Sequence, residues 1–180
     1  MIRLILHSTI RRFERRYDYD ATYMHAILEA SIPAFVKFAL AQTMSAHREG
    51  VSPDALFAAR IAAVRFEDCG PCAQLVVNMA LEAGVEPAMV RAIVARDVRR
   101  LSADASLGLR LADAVLAHES TDDARANVVA RFGEKGLITL AYAIAATRIY
   151  PTLKRALGHA HTCERLRVEG EYVIAARAAA

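Results

Sequence analysis

The chain contains two cysteines at CxxC spacing, a pair of residues that can form and break a disulfide. Cys69 and Cys72 enclose Gly70 and Pro71. Side chains three residues apart on a helix share a face, with Cβ atoms roughly 5–6 Å apart, and a small adjustment at a helix end brings such sulfurs within disulfide distance. A helix start also favours the thiolate, the form of cysteine that attacks disulfides and peroxides. The pair therefore predicts reversible dithiol chemistry.

Two other interpretations of these cysteines are open. Cysteine behaves as a small apolar residue in many cores, so an alanine-rich helical protein can bury two of them without chemistry. A zinc site is the second alternative, in which Cys69 and Cys72 join Cys163 and either His159 or His161. Because the gap between His161 and Cys163 is shorter than is usual for a pair of zinc ligands, we expect no metal and no cofactor.

The segments that position the cysteines are predicted to be helices. Ser52, Pro53 and Asp54 open the helix that leads to Cys69, since a capping serine followed by proline is typical of a helix start. The helix that begins at the CxxC motif is expected to end at Gly84. Helical spacing of apolar residues predicts further helices from about residue 20, over 31–49, 86–98, 104–116 and 122–132, and from Gly133 to a stop before Pro151.

The fold class expected from this pattern is all-α, a single-domain helical bundle. The chain has no sustained period-two alternation and no Asn-Gly or Asp-Gly hairpin turn. Cys-Gly-Pro-Cys is also the active-site tetrapeptide of thioredoxins, but there it follows a β-strand and a neighbouring tryptophan. This chain has no tryptophan and an alanine-rich helical segment before the motif, so a thioredoxin fold is not expected.

Composition excludes several classes of protein. The chain has 180 residues, 55% of them hydrophobic and 24% charged, which suits one domain with a sizeable core. A net charge of +3 with interleaved signs leaves no nucleic-acid footprint. Three cysteines do not resemble a secreted disulfide framework, and no apolar run approaches the roughly 18 residues of a membrane span. We therefore expect a cytoplasmic protein that binds neither nucleic acid nor membrane.

The N-terminal segment combines a short apolar run with four arginines, at positions 11, 12, 15 and 16. Such a segment could suggest a transit peptide or a helix on a membrane surface. However, Glu14, Asp18 and Asp20 interrupt the positive charge, and no small-residue cleavage site follows. We interpret it as a helical arm that packs on a partner subunit.

The order of these segments resembles the alkylhydroperoxidase D-like and carboxymuconolactone decarboxylase-like superfamily. The resemblance begins with an alanine-rich helix that ends in CxxC and continues through the segment 76–85 and a short helix. The segments 109–115 and 128–140 are similar to the closing helices of that family. The resemblance covers roughly residues 50–150. Residues 1–49 are then an N-terminal helical extension, and residues 151–180 are a C-terminal segment. The resemblance implies an all-helical homo-oligomer with CxxC at a helix start near a subunit contact.

The catalytic relay of that family is not present in full. Peroxidase members have a histidine four residues after the second cysteine and a glutamate twelve before the first, where this chain has Val76 and Phe57. Neither apolar side chain can accept or donate a proton. Three nearby polar residues are therefore candidates for an auxiliary role. The carboxylates of Glu67 and Asp68 could accept a thiol proton, and the amide of Gln74 could form a hydrogen bond with a substrate.

Three functions follow from these observations. The first is a thiol-disulfide oxidoreductase or peroxide-reducing antioxidant protein in which Cys69 and Cys72 are catalytic. Its substrate would be a small peroxide or disulfide, and another dithiol protein could supply electrons. The family favours Cys72 as the attacking thiol, whereas the helix start favours Cys69, so both assignments are open. The second function is a noncatalytic helical oligomeric module without the relay, and the third is a lactone decarboxylase-like lyase.

Overall fold

A computed structural model describes residues 1–159 and 165–174 of the chain. This part is mostly helical, which confirms the all-α expectation in its main feature. No helix in it combines the length and apolar character needed to cross a membrane. The described elements are α1 (Ile2–Tyr17), α2 (Thr22–Ala30), α3 (Ile32–Ala46), α4 (Pro53–Phe66), α5 (Gly70–Glu82), α6 (Pro87–Ala95), α7 (Ala103–Leu116), α8 (Asp122–Ala156), β1 (Arg165–Val168) and β2 (Glu171–Ile174).

Serine caps define the starts of three helices. Ser31, Ser52 and Ser102 each accept a hydrogen bond from the backbone N–H three residues further on. The cap satisfies one of the donors that the first turn of a helix leaves unpaired. Pro33 and Pro53 follow two of these serines, and proline is suited there because it has no N–H to leave unpaired. These boundaries follow from local chemistry alone.

Helix α4 lies at the centre of the larger apolar core. All of its residues from Ala55 to Val64 are buried, because α5, α6, α7 and α8 pack around it. Helix α7 approaches most closely at Gly108, where an added Cβ would lie 2.1 Å from the carbonyl oxygen of Ala55. Glycine at this position therefore lets α7 pack against the helix that leads to the cysteines.

Helices α1 to α3 contribute a second apolar cluster, which is rich in aromatic residues. Leu75 of α5 and Leu153 of α8 pack against this cluster. The N-terminal extension therefore covers one side of the CxxC-bearing helix and the C-terminal end of α8. The buried residues of this second cluster are Ile10, Tyr19, Ala21, Tyr23, Met24, Leu28, Phe35 and Phe38.

The two-stranded sheet shows that the expectation of no strands was wrong. Strands β1 and β2 pair antiparallel, with Leu166 opposite Val173. Each strand has only four residues, too few for period-two alternation to stand out from a helical pattern. The hairpin packs on α5 and α6, and these tertiary contacts stabilise it.

Three predicted helix ends were also wrong. Helix α3 ends at Ala46 and not at Glu49, because His47 adopts an extended conformation with ψ 130°. Helix α6 ends at Ala95 because Arg96 adopts a left-handed conformation with φ 54°, and Val98 is exposed beyond that end. Gly133 interrupts the helical path of α8 as predicted, with φ 68° and ψ −179°, but the helix does not stop at Pro151. An internal proline costs a backbone hydrogen bond, and tertiary packing outweighs this cost because Pro151 is buried. The additional turn contains Lys154.

Candidate redox site

The two cysteines lie side by side at the start of α5. Cys69 is the N-cap residue and Cys72 lies in the first turn. Their Sγ atoms are 2.6 Å apart, both thiols are free, and the residues are only 2% and 3% exposed. This contact is the one that the CxxC spacing predicts for a helix start.

The sulfur contact favours one negative charge on the pair, held by Cys69. A hydrogen bond from the Cys72 thiol, assisted by the Cys72 backbone N–H, outweighs burial and lowers the pKa of Cys69 to about 7. The cationic side chains of Lys154 and Arg155 act in the same direction. The same sulfur contact raises the pKa of Cys72 well above its ordinary value, and burial and the neighbouring charge raise it further. The resting thiolate therefore lies on Cys69.

A fully buried lysine supplies part of the positive charge. The side chain of Lys154 is 0% exposed, and its Nζ lies 3.9 Å from Oδ2 of Asp20 and donates to the Asp20 backbone carbonyl at 3.0 Å. It also lies 4.7 Å from the centre of the Tyr19 ring and 5.5 Å from that of Tyr23. Burying a charge is costly unless it is paired and hydrogen-bonded. These four contacts hold the cation in the core.

Tyr19 connects this lysine to the second cysteine. Its hydroxyl lies 3.6 Å from Sγ of Cys72. Burial raises the pKa of Tyr19 far above its ordinary value, so the phenol keeps its proton at neutral pH and can donate to a Cys72 thiolate. Sequence reasoning missed Tyr19 and Lys154. The loop position of Tyr19 gave no periodic signal, and Lys154 lies beyond the predicted helix stop.

A cavity of about 240 Å³ opens onto the pair from the side of Cys72. Of the two cysteines, only Cys72 lines it. A small molecule that enters this cavity would therefore meet Cys72, while the resting negative charge lies on Cys69 behind it. The cavity is lined by Phe13, Tyr19, Tyr23, Met24, Gln42, Ser45, Ala46, Arg48, Arg60, Val64, Cys72, Leu75, Val76, Met79, Thr147, Tyr150 and Pro151.

The two predicted acidic auxiliaries have other surroundings. Oε1 of Glu67 accepts a hydrogen bond from Nε of Arg148 at 2.5 Å, and the backbone carbonyl of Glu67 accepts one from Arg155. Asp68 is exposed and left-handed, with φ 50°. Within the described residues no hydrogen bond joins either carboxylate to a cysteine. Neither acid is arranged to accept a thiol proton.

The predicted auxiliary Gln74 binds the hairpin. Its Nε2 donates to the backbone carbonyl of Arg167 at 2.9 Å, and its Oε1 accepts from the Arg167 backbone N–H at 2.7 Å. Nε2 also donates to Oδ1 of Asn78 at 2.9 Å. These bonds engage both ends of the amide, so Gln74 docks β1 onto α5.

The two relay positions are apolar, and one of them lines the cavity. Val76 lines the cavity together with Cys72. Phe57 is fully buried, and the guanidinium carbons of Arg48 and Arg60 lie 5.7 and 5.3 Å from the centre of its ring. Positive charge therefore lies next to the position where the family has a glutamate.

Comparisons with known proteins return no relative. Neither a protein-family model nor a curated protein matches this chain, and no solved structure matches it. The family resemblance rests on the sequence features described above. The chemistry of the site rests on the contacts around Cys69 and Cys72.

The zinc alternative falls largely outside the described residues. Cys163 and His161 are in the segment 160–164, which the structure does not describe. In residues 1–159 and 165–174, no group of three histidine, cysteine, aspartate or glutamate side chains is arranged to bind a metal ion. The described side-chain hydrogen bonds of Cys69 and Cys72 are with each other and with Tyr19.

Proposed function

We propose that this protein is a small thiol-disulfide oxidoreductase that reduces peroxides, with Cys69 and Cys72 cycling between dithiol and disulfide. One arrangement carries the proposal. Two sulfurs lie 2.6 Å apart at a helix start, their contact lowers the pKa of Cys69, and Cys72 lines a cavity. Catalytic thiols need thiolate character at neutral pH and access for a substrate. Cys69 has the thiolate character, and Cys72 has the access to the cavity.

The first step is attack by Cys72 on the peroxide. The thiol proton of Cys72 moves across the sulfur contact to Cys69, which leaves the negative charge on the sulfur that lines the cavity. The Cys72 thiolate attacks one peroxide oxygen, an S–O bond forms and the O–O bond breaks. Cys72 becomes a sulfenic acid and the leaving alkoxide takes the proton from Cys69.

The second step closes the disulfide. Cys69, now a thiolate, attacks the sulfur of the Cys72 sulfenic acid, the S–S bond forms and the S–O bond breaks. The hydroxide that leaves takes a proton from the buffer and becomes water. The two thiols are oxidised by two electrons, and the peroxide is reduced to an alcohol and water. A partner protein with its own dithiol is the proposed electron donor, which is suited to a reducing cytoplasm.

The surroundings of the pair support a variation on the resembled family. The hydroxyl of Tyr19 contacts Cys72 and can donate to its thiolate, and the cations of Lys154 and Arg155 favour the thiolate. These groups would stabilise charge where the family uses its histidine and glutamate. We extend the proposal to the alkylhydroperoxidase D-like fold and to its homo-oligomeric assembly, for which the order of α4, the CxxC motif and α5 is the support.

Separate cysteine variants test this mechanism. Wild-type protein, reduced with dithiothreitol, is treated with tert-butyl hydroperoxide, and the products are mapped by mass spectrometry. We expect one disulfide between Cys69 and Cys72 in the wild type. Cys69→Ser should stop at a Cys72 sulfenic acid that dimedone traps, formed more slowly than the wild-type disulfide because the acceptor of the Cys72 proton is lost. Cys72→Ser should form no sulfenic acid at Cys69. Cys163→Ser is the matched control and should behave as the wild type.

The opposite result favours the noncatalytic alternative. Both relay positions, Val76 and Phe57, are buried and apolar, as expected if the fold has lost its chemistry. If both thiols resist peroxide and alkylation until the protein unfolds, the oxidoreductase proposal is wrong. The cysteines would then be packing residues of a helical module.

A further inference from the structure

Arg60 is a buried cation with no acidic partner among the described residues. It lies on α4 and is 4% exposed. Its guanidinium donates to the backbone carbonyl of Ser45, while its buried Nε has no hydrogen-bond partner among the described residues. No carboxylate in that part of the chain forms an ion pair with it. A buried charge is costly unless it is paired with an opposite charge, so an anion that reached Arg60 would be bound favourably.

The cavity beside Arg60 is positively charged. Arg48 also lines it, and its lining contains no aspartate or glutamate from the described residues. Burial, and then repulsion from Arg48, lower the pKa of Arg60 to about 10. Arg60 is therefore still a cation at neutral pH. An anion in the cavity would pair with this charge and relieve the repulsion between the two arginines.

The rest of the cavity wall is suited to an apolar group. Met24, Leu75, Val76 and Met79 line it together with Phe13 and Val64. An engineered apolar cavity of about 150 Å³ holds benzene, so a cavity of about 240 Å³ has room for roughly ten non-hydrogen atoms. The ligand that fits is small, with one charged end and an apolar body.

We propose that this cavity binds a small organic acid, with Arg60 pairing with its anionic group and its apolar body lying against α5 beside Cys72. The proposed substrate rests on the proposed function: the peroxide reduced by Cys72 would be an organic hydroperoxide that carries a carboxylate. The proposed binding of an organic acid rests only on Arg60 and the cavity. Arginine is suited to the anion because its planar guanidinium matches the geometry of a carboxylate.

Octanoate, which has ten non-hydrogen atoms and cannot be reduced by thiols, is the probe, and octan-1-ol is its neutral control. Binding to the reduced full-length chain is measured by isothermal titration calorimetry. We expect octanoate to bind at least tenfold more tightly than octanol. Arg60→Gln should weaken octanoate binding about 10- to 100-fold, as expected for loss of a charged hydrogen bond, with little effect on octanol. Arg60→Lys should retain part of the preference.

Equal binding of octanoate and octanol to the wild type, or no octanoate binding, would overturn the inference. An unchanged octanoate affinity in a folded Arg60→Gln protein would also overturn it. If Arg60→Gln does not fold, the wild-type comparison and Arg60→Lys decide. Peroxide turnover is measured separately, so octanoate binding without turnover would refute the proposed oxidoreductase while leaving the acid site intact.

Discussion

The ammonium group of Lys154 lies 4.7 Å from the centre of the Tyr19 ring, and the hydroxyl of the same tyrosine contacts Cys72. A fully buried cation and a protonated phenol are thus held together beside two thiols that share one charge. The aromatic face and the Asp20 carbonyl stabilise the cation. The cation in turn favours the thiolate form of the pair.

Lys154→Met is expected to raise the pKa of Cys69, because the substitution removes a cation that stabilises the thiolate. The midpoint of thiolate ultraviolet absorbance should move upward by about 0.5 to 1 pH unit. Lys135→Met is the control, since Lys135 lies on α8 with a side chain that is 81% exposed. Coinciding titration curves for the wild type and Lys154→Met would show that the lysine does not act on the pair.

The pH dependence of the pair is expected to follow Cys69. The sulfur contact lowers the pKa of Cys69, so Cys69 is a protonated, unreactive thiol at low pH and becomes a thiolate as the pH rises through that lowered pKa. Cys72→Ala removes the hydrogen bond that lowers this pKa most, so the thiolate midpoint should move to higher pH. Cys69→Ala should lower the pKa of Cys72, because the sulfur contact that raises this pKa is lost. An unshifted midpoint in Cys72→Ala would contradict the shared charge.

Tyr19→Phe is expected to slow peroxide-driven disulfide formation about three- to tenfold, because the hydroxyl that contacts Cys72 is lost while the ring over Lys154 remains. Stopped-flow measurement of disulfide formation gives the rate. Tyr142→Phe is the matched control, since Tyr142 is 39% exposed and does not line the cavity beside Cys72. Equal rates for the two variants would remove Tyr19 from the mechanism.

Gln74→Ala is expected to loosen the hairpin without changing the thiols. The substitution removes two hydrogen bonds to Arg167, worth about 1–2 kcal/mol together. Amides of residues 165–174 should exchange hydrogen faster, while the thiolate titration stays unchanged. Asn78→Ala, which removes a bond to the Tyr17 carbonyl in α1, should affect the hairpin less. A slower peroxide reaction in Gln74→Ala would instead support the auxiliary role predicted from sequence.

Gly108→Ala is expected to destabilise the larger core. Its new Cβ would meet the Ala55 carbonyl oxygen at 2.1 Å, and backbone cannot move aside as a flexible side chain can. Overpacking of this kind costs about 1–3 kcal/mol, measurable by urea unfolding. Ser106→Ala on the same helix adds no atom at Cβ and should change the free energy of unfolding by less than about 0.5 kcal/mol. A stable Gly108→Ala protein would mean that α4 and α7 can separate at little cost.

The helical order could be predicted because its signals are local. Ser31 and Ser52 accept hydrogen bonds three residues away, and Gly133 interrupts α8 through its own backbone angles. The hairpin and the end of α8 could not be predicted in this way. Four-residue strands carry little pattern, and the helix continues past Pro151 because burial outweighs the lost backbone hydrogen bond.

The CxxC spacing was enough to predict that the two cysteines share one face at a helix start, since three residues and a proline suffice for that geometry. The groups that surround the cysteines depend on how distant helices pack. Tyr19 reaches Cys72 across 53 positions of the chain, and Lys154 reaches Asp20 across 134. The burial of Arg60 likewise results from helix packing. Contacts over such separations depend on how helices pack, and no short sequence pattern records them.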